Sequence, residues 1–177
     1  MRADKARNRE AVLAAVARLL EEADDPDEVS MDAVAAAAGV GKGTIFRGFG
    51  DRRGLIRTLY DDRVAQSLAP TPPTAESPSD AAVELLTRVW TFKEQHRGLT
   101  LALEREGQGS PYQSAGYDRL HADLVSLITR GRGPENAGFL AHALLAAVRS
   151  DLVEHLRRQP DGDPLAGLRD LVRQVFS

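Results

Sequence analysis

Val12, Leu13, Val16, Leu19 and Leu20 fall on one face of a helix, which predicts a first helix over about residues 4–23 that Asp24, Asp25 and Pro26 break. Met31, Val34, Ala35 and Ala38 repeat the spacing over barely two turns. Ser30 stands before them, with a hydroxyl suited to accept from the free N–H groups of a helix start, and Gly39 follows them as the left-handed residue that ends a helix. Gly41 restarts the chain. Ile45, Phe46 and Phe49 then supply an apolar face, and Lys42, Gly43, Thr44 and Arg47 are left for the opposite side. The small side chains of Ala35 to Ala38 let two helices joined by a tight turn approach closely, which fits a helix-turn-helix. Asp51 is placed to cap a further helix with Leu55, Ile56, Leu59, Tyr60 and Val64 on its apolar face.

Residues 69–79, APTPPTAESPS, cannot continue a helix, so the sequence predicts one domain over 1–68 and a second over 80–177. A stiff proline linker suits transmission between the two, and suits a mere spacer equally. Beyond it, residues 80–96 carry Val83, Leu85, Leu86, Val89, Trp90 and Phe92 on more than one face, as expected of a central helix. A short helix is expected after Gly98, then a loop over 107–116. A helix over 117–130 follows, with Leu120, Leu124, Leu127 and Ile128. Pro134 suits the first position of a long helix to about residue 159, with Phe139, Leu140, Leu144, Ala147, Val148, Leu152 and Leu156. Asp163 and Pro164 open the last helix, with Leu165, Leu168, Leu171, Val172, Val175 and Phe176. The expected fold is all-α, with about nine helices.

Charge sharpens this picture locally. The 177 residues sum to a formal charge of −3, which gives no global attraction to nucleic acid. Yet Lys42, Arg47, Arg52, Arg53 and Arg57 cluster where Asp51 is the single acid before Asp61, and Glu21 to Asp32 keep an acidic belt apart from them. Lysine and arginine neutralise phosphate; Thr44 can reach a phosphate or a base edge, and Arg47 suits a guanine. Gly43 lets the backbone approach DNA. Arg2, Lys5, Arg7 and Arg9 form a second basic cluster, fitted either to the neighbouring DNA backbone or to a solvated helix face.

The segment Val40, Lys42, Gly43, Thr44, Ile45, Phe46 and Phe49, with Asp51 and Arg52 at the following turn, resembles the DNA-binding domain of the TetR family of transcriptional regulators, whose pattern is V-x-K-G-T-[LIF]-[YF]-x-x-F. The resemblance covers roughly the first third of the chain; the rest is similar only in length and helical pattern. Gly41 departs from the usual Ser or Ala, and Gly48 from a His that touches the DNA backbone. The resemblance implies a sequence-specific regulator, a repressor that binds a palindromic operator as a homodimer and is released by a small-molecule effector. Its DNA-binding residues would be Ser30, Lys42, Gly43, Thr44, Phe46, Arg47 and Arg52. The last two helices would pair with their copies through Leu144, Val148, Leu152, Leu168, Leu171 and Val175, the lesser alternative being that they close the monomer core. Two half-sites would then multiply a short reading helix. The effector would lie among Leu86, Trp90, Phe92, Tyr117, His121, Leu124, Phe139 and His142, with Glu104 and Arg105 near the mouth; ordinary core packing accounts for the same aromatics.

Other functions find less support. GVGKGT is not a nucleotide loop: Gly43 separates Lys42 from Thr44, and the first glycine of that pattern would fall at Ala36. Without cysteine there is no thiol catalysis and no cysteine-ligated metal. Asp118 and His121, and Asp151 and His155, are a helical turn apart, but neither pair has a third ligand in sequence. No enzyme and no cofactor is expected. The N-terminus has no apolar core of a secretory signal, and a cytoplasmic location is expected. The alternative function is a ligand-independent DNA-binding repressor or architectural protein.

Overall fold

The computed structural model describes residues 2–68, 75–106, 115–159 and 162–177, and among them holds ten α-helices and no strand. In order these are α1 (Arg2–Glu22), a 3₁₀ turn (Pro26–Glu28), α2 (Met31–Ala38), α3 (Lys42–Phe49), α4 (Arg52–Ser67), α5 (Pro78–Gln95), α6 (Arg97–Glu106), α7 (Ala115–Arg132), α8 (Ala137–Ala146), α9 (Ser150–Arg157) and α10 (Pro164–Phe176). They pack as two units, one from residues 1–69 and 96–108, the other from 70–95 and 109–177. No described helix is long and apolar enough to cross a membrane.

The first unit is organised around the side chains that the sequence periodicity selects. Val12, Val16 and Leu20 of α1, Val34 of α2, Ile45 of α3 and Leu55, Ile56 and Leu59 of α4 are all buried in one cluster. Each such aliphatic side chain contributes about 1.5–3 kcal/mol by leaving water. The short helices are cut to length by local chemistry. Ser30 Oγ accepts from Ala33 N at 3.1 Å, Gly39 ends α2 at φ +65°, and Asp51 Oδ1 accepts from Gly54 N at 2.7 Å.

The helix α6 belongs to this unit, although a division at the proline-rich segment leaves it with the C-terminal part. Leu99 and Ala102 complete the same buried cluster. Gly98 permits the approach: a Cβ there would lie 1.9 Å from the carbonyl oxygen of Leu20. Arg105, expected near an effector, instead bridges Asp25 and Asp27 beside the 3₁₀ turn, the latter at 3.2 Å. The Asp25 carboxyl is held below its usual range by the backbone N–H of Asp27 and by the guanidinium of Arg105.

The second unit wraps α5. Ala82, Leu86, Val89, Trp90 and Phe92 are buried, with Leu124 and Ile128 of α7, Ala141, Leu144 and Leu145 of α8, and Leu168 and Val172 of α10. Ser77 accepts from Asp80 N at 3.1 Å, so α5 starts at Pro78, two residues before the expected position. Residues 69–74 of the expected linker, and most of the expected loop over 107–116, lie outside the described residues.

One expected helix is two. The stretch 134–159 begins its helix only at Ala137, after Asn136 in the left-handed region at φ 56°, and breaks between Ala146 and Ser150 around an extended Arg149. The break redirects the chain: α8 packs on α7 and α10, whereas α9 packs on α5. It thereby buries Val148, Ser150 and Val153, which a straight helix would not aim at the same core.

Gly98→Ala should destabilise the protein by about 1–3 kcal/mol, because the added methyl meets backbone and not a yielding side chain. Gly48→Ala, where a Cβ meets nothing within 4 Å, should be neutral or stabilising by up to about 1 kcal/mol. Urea unfolding of both variants checks the pair; equal midpoints would refute the close approach.

Candidate nucleic-acid interface

The outer surface of α3 is what remains after Ile45, wholly buried, and Phe49, half-buried, have fixed the helix to the core. Lys42, Gly43, Phe46, Arg47 and Gly48 are exposed, and Thr44 is half-buried. Phe46 therefore departs from the apolar inner face expected of it, with 44% of its surface in solvent, and joins the outward side chains. A Cβ on Gly41, Gly43 or Gly48 would meet nothing within 4 Å, so the backbone of α3 is bare on its outer side.

The first turn of α3 has electrostatic polarity suited to an anion. Its N-cap, Gly41, provides no side-chain acceptor, and no acid lies in that turn, so the positive end of the helix faces solvent beside Lys42. Lys42 Nζ is 2.7 Å from Asp32 Oδ1 on α2. Arg47 Nη2 donates to Thr44 Oγ1 at 3.4 Å, a long contact that leaves the guanidinium available to a better acceptor.

Arg52 does something else. Its Nε donates to the carbonyl of Val29 at 3.1 Å and its Nη2 to that of Pro26 at 2.6 Å, so it ties the start of α4 to the segment leading into α2. Ser30 likewise acts on the protein, as the cap of α2. Arg9 lies over the Phe49 ring at 5.2 Å from its centroid, which brings the N-terminal basic cluster to the end of α3. Arg7 pairs with Asp4 at 2.8 Å, Lys5 is exposed, and the Arg2 side chain lies outside the described residues. Arg57 pairs with Asp61 at 3.2 Å, while Arg53 is exposed.

Gly54 is a positioning residue that periodicity does not reveal. A Cβ there would lie 2.1 Å from the carbonyl oxygen of Phe49, so α4 can start beneath the end of α3 only with hydrogen at this position. The signal in sequence is its place three residues after Asp51, where the cap takes its N–H.

In the second unit the eight residues expected around an effector separate into two groups. Leu86, Trp90, Phe92 and Leu124 are buried. Tyr117, His121 and His142 form a stack between α7 and α8: the two imidazoles lie 4.0 Å apart, and Tyr117 Oη is 2.6 Å from His142 Nδ1. His121 Nε2 lies 3.1 Å from the Gly138 carbonyl. His142 is exposed, and Phe139 is 74% exposed, so neither forms part of a closed wall. Of the six residues expected between subunits, Leu144, Val148, Leu168 and Val175 are buried in their own unit, whereas Leu152 and Leu171 stand 36% and 43% exposed. Among the described residues no group of three or more His, Asp or Glu could hold a metal ion.

Residues 12–59 match the family described as bacterial regulatory proteins, tetR family. That span starts within α1 and ends in α4, so it contains the whole helix-turn-helix. Similar solved structures include a TetR-like transcriptional regulator from Rhodococcus sp. RHA1, at 22% identity, with 94% of each chain covered and a TM-score of 0.67. A tetR-family regulator from Streptomyces coelicolor shares 20% identity over 95% of this chain and 78% of its own, with a TM-score of 0.65. NalD of Pseudomonas aeruginosa, the secondary repressor of the MexAB-OprM multidrug efflux pump, shares 19% over 98% and 96%, with a TM-score of 0.62. At these identities the likeness is one of fold. No curated protein matches the sequence.

Arg52→Ala should cost about 1–3 kcal/mol of stability, because two carbonyls lose a charged donor, and Arg52→Lys should not restore it, since one ammonium cannot reproduce the fork. Urea unfolding measures both; an unchanged midpoint for Arg52→Ala would remove its structural task.

Proposed function

We propose that this chain, whose residues 12–59 match the tetR family of bacterial regulatory proteins, is a DNA-binding transcriptional regulator of that family and a repressor that docks α3 into the major groove of a palindromic operator. The observation that carries the proposal is the outer face of α3, where Lys42, Arg47 and Thr44 stand about a bare helix start whose own first turn holds no acid. Lys42 takes a backbone phosphate, Arg47 reads a base edge with Thr44 beside it, and Gly43 lets the backbone approach. Phe46 is suited to an apolar contact such as a thymine methyl. Ser30 and Arg52 serve the interface from behind, by holding α2 and α4 in place.

A homodimer is part of this reading. An eight-residue helix contacts few base pairs, and two copies supply the second half-site. Phe139, Leu152 and Leu171 support it, as large apolar side chains that α8, α9 and α10 leave in solvent. The second unit is also the proposed seat of a small-molecule effector, with Tyr117, His121 and His142 presenting polar atoms and ring faces at its surface. NalD, a repressor of similar fold, supports the negative sign of control. The protein acts in the cytoplasm, on chromosomal DNA.

Selection of genomic fragments by the purified protein at near-physiological salt should enrich an inverted repeat. On that site Lys42→Ala should weaken all sequences about equally, whereas Arg47→Ala should relax one position by about 1–3 kcal/mol. Equal losses on matched and mismatched sites would refute the base-reading role of Arg47. Sedimentation of the free protein at micromolar concentration should show a dimer that Leu152→Glu combined with Leu171→Glu dissociates. A monomeric wild type would remove the homodimer.

A further inference from the structure

The Lys42 ammonium has an anionic partner within the protein. Asp32 lies in the first turn of α2, and its carboxylate oxygen sits 2.7 Å from Lys42 Nζ, the ion-pair distance that a DNA phosphate would take. Both side chains are exposed, 72% for Asp32 and 51% for Lys42, so the pair stands on the surface and not inside the helix-turn-helix. An exposed pair of this kind contributes little to folding and is readily exchanged. Asp32 does not cap its own helix; Ser30 does that, by accepting from Ala33 N. Asp51, the other acid between residues 30 and 55, is engaged with the N–H of Gly54. Asp32 is therefore an acid directed at the cation that the proposed interface needs.

We propose that Asp32 is an intramolecular competitor of the DNA backbone: it occupies Lys42 in the free protein and must be displaced by phosphate when α3 docks. This inference rests on the DNA-binding function proposed above. The competition acts on backbone binding, which is the same for every sequence, and leaves base contacts by Arg47 untouched. Asp32 is thus a brake on binding to arbitrary DNA. Removing it spares the displacement, and a gain in affinity that depends on Lys42 is the measurable signature.

The test is fluorescence anisotropy of the full chain with a labelled duplex of arbitrary sequence over stepped sodium chloride concentrations. The variants are Asp32→Asn, Lys42→Ala and their combination, with Asp32→Ser as a second uncharged variant that retains an oxygen in the first turn of α2. Both single Asp32 variants should bind roughly fivefold tighter at about 0.15 M salt, with a log–log salt slope close to that of the wild type, since Lys42 meets a phosphate in either complex. In the Lys42→Ala background the gain should vanish. Unchanged affinity for Asp32→Asn and Asp32→Ser, with Lys42→Ala still weakened, would overturn the competition and leave the DNA-binding function standing. A gain of the same size with and without Lys42 would also overturn it, as general repulsion. Absence of binding by every form at the lowest salt would overturn both, the DNA-binding function first.

Discussion

The burial of Ile45 in the cluster it shares with α1, α2 and α4 is the constraint on which the proposed recognition surface depends. An eight-residue helix is too short to persist in water by its own hydrogen bonds, so α3 exists because its inner face is held. Ile45 is wholly buried, and its neighbours in the cluster are Val12, Val16, Leu20, Leu55, Ile56 and Leu59. With one anchor fully enclosed and Phe49 half-enclosed, the remaining positions of α3 are released from packing. The outer face can then carry glycine, lysine and arginine without cost to the core.

Caps and periodicity made most of this unit legible in the sequence. Ser30, Gly39 and Asp51 do in the structure what their chemistry predicts, because an N-cap or a left-handed terminator acts within three or four residues of itself. The contacts that escaped are those across chain distance. Arg52 reaches carbonyls more than twenty residues away. In a list of basic residues it looks like a phosphate ligand, and only the fold shows that its guanidinium is turned towards Pro26 and Val29. Gly98 is similar: a glycine near the start of a short helix reads as a boundary, and its actual role is to admit the carbonyl of Leu20.

The C-terminal unit was legible in composition and less so in detail. An all-round apolar α5 does sit in a core, but the aromatic residues that suit a cavity also suit a filled interior, and periodicity cannot tell the two apart. Trp90 and Phe92 are buried, whereas Phe139, at an equally apolar position in sequence, stands in solvent. The interruption around Ala147 to Arg149 carries no proline or glycine. It arises because α8 and α9 have different neighbours, which is a property of the packed unit and not of the local chain.

The place of α6 bears on how such a protein can change over generations. The unit that carries α3 is assembled from two separated stretches of polypeptide, with α5 running between them in sequence. A recombination that joined a foreign head at the proline-rich segment would leave Leu99 and Ala102 behind, to face a surface they were not shaped for. The head is therefore not a free cassette. On the proposed function, new DNA specificity is more readily reached by substitution on the outer side of α3, where almost nothing inside the molecule has to follow the change.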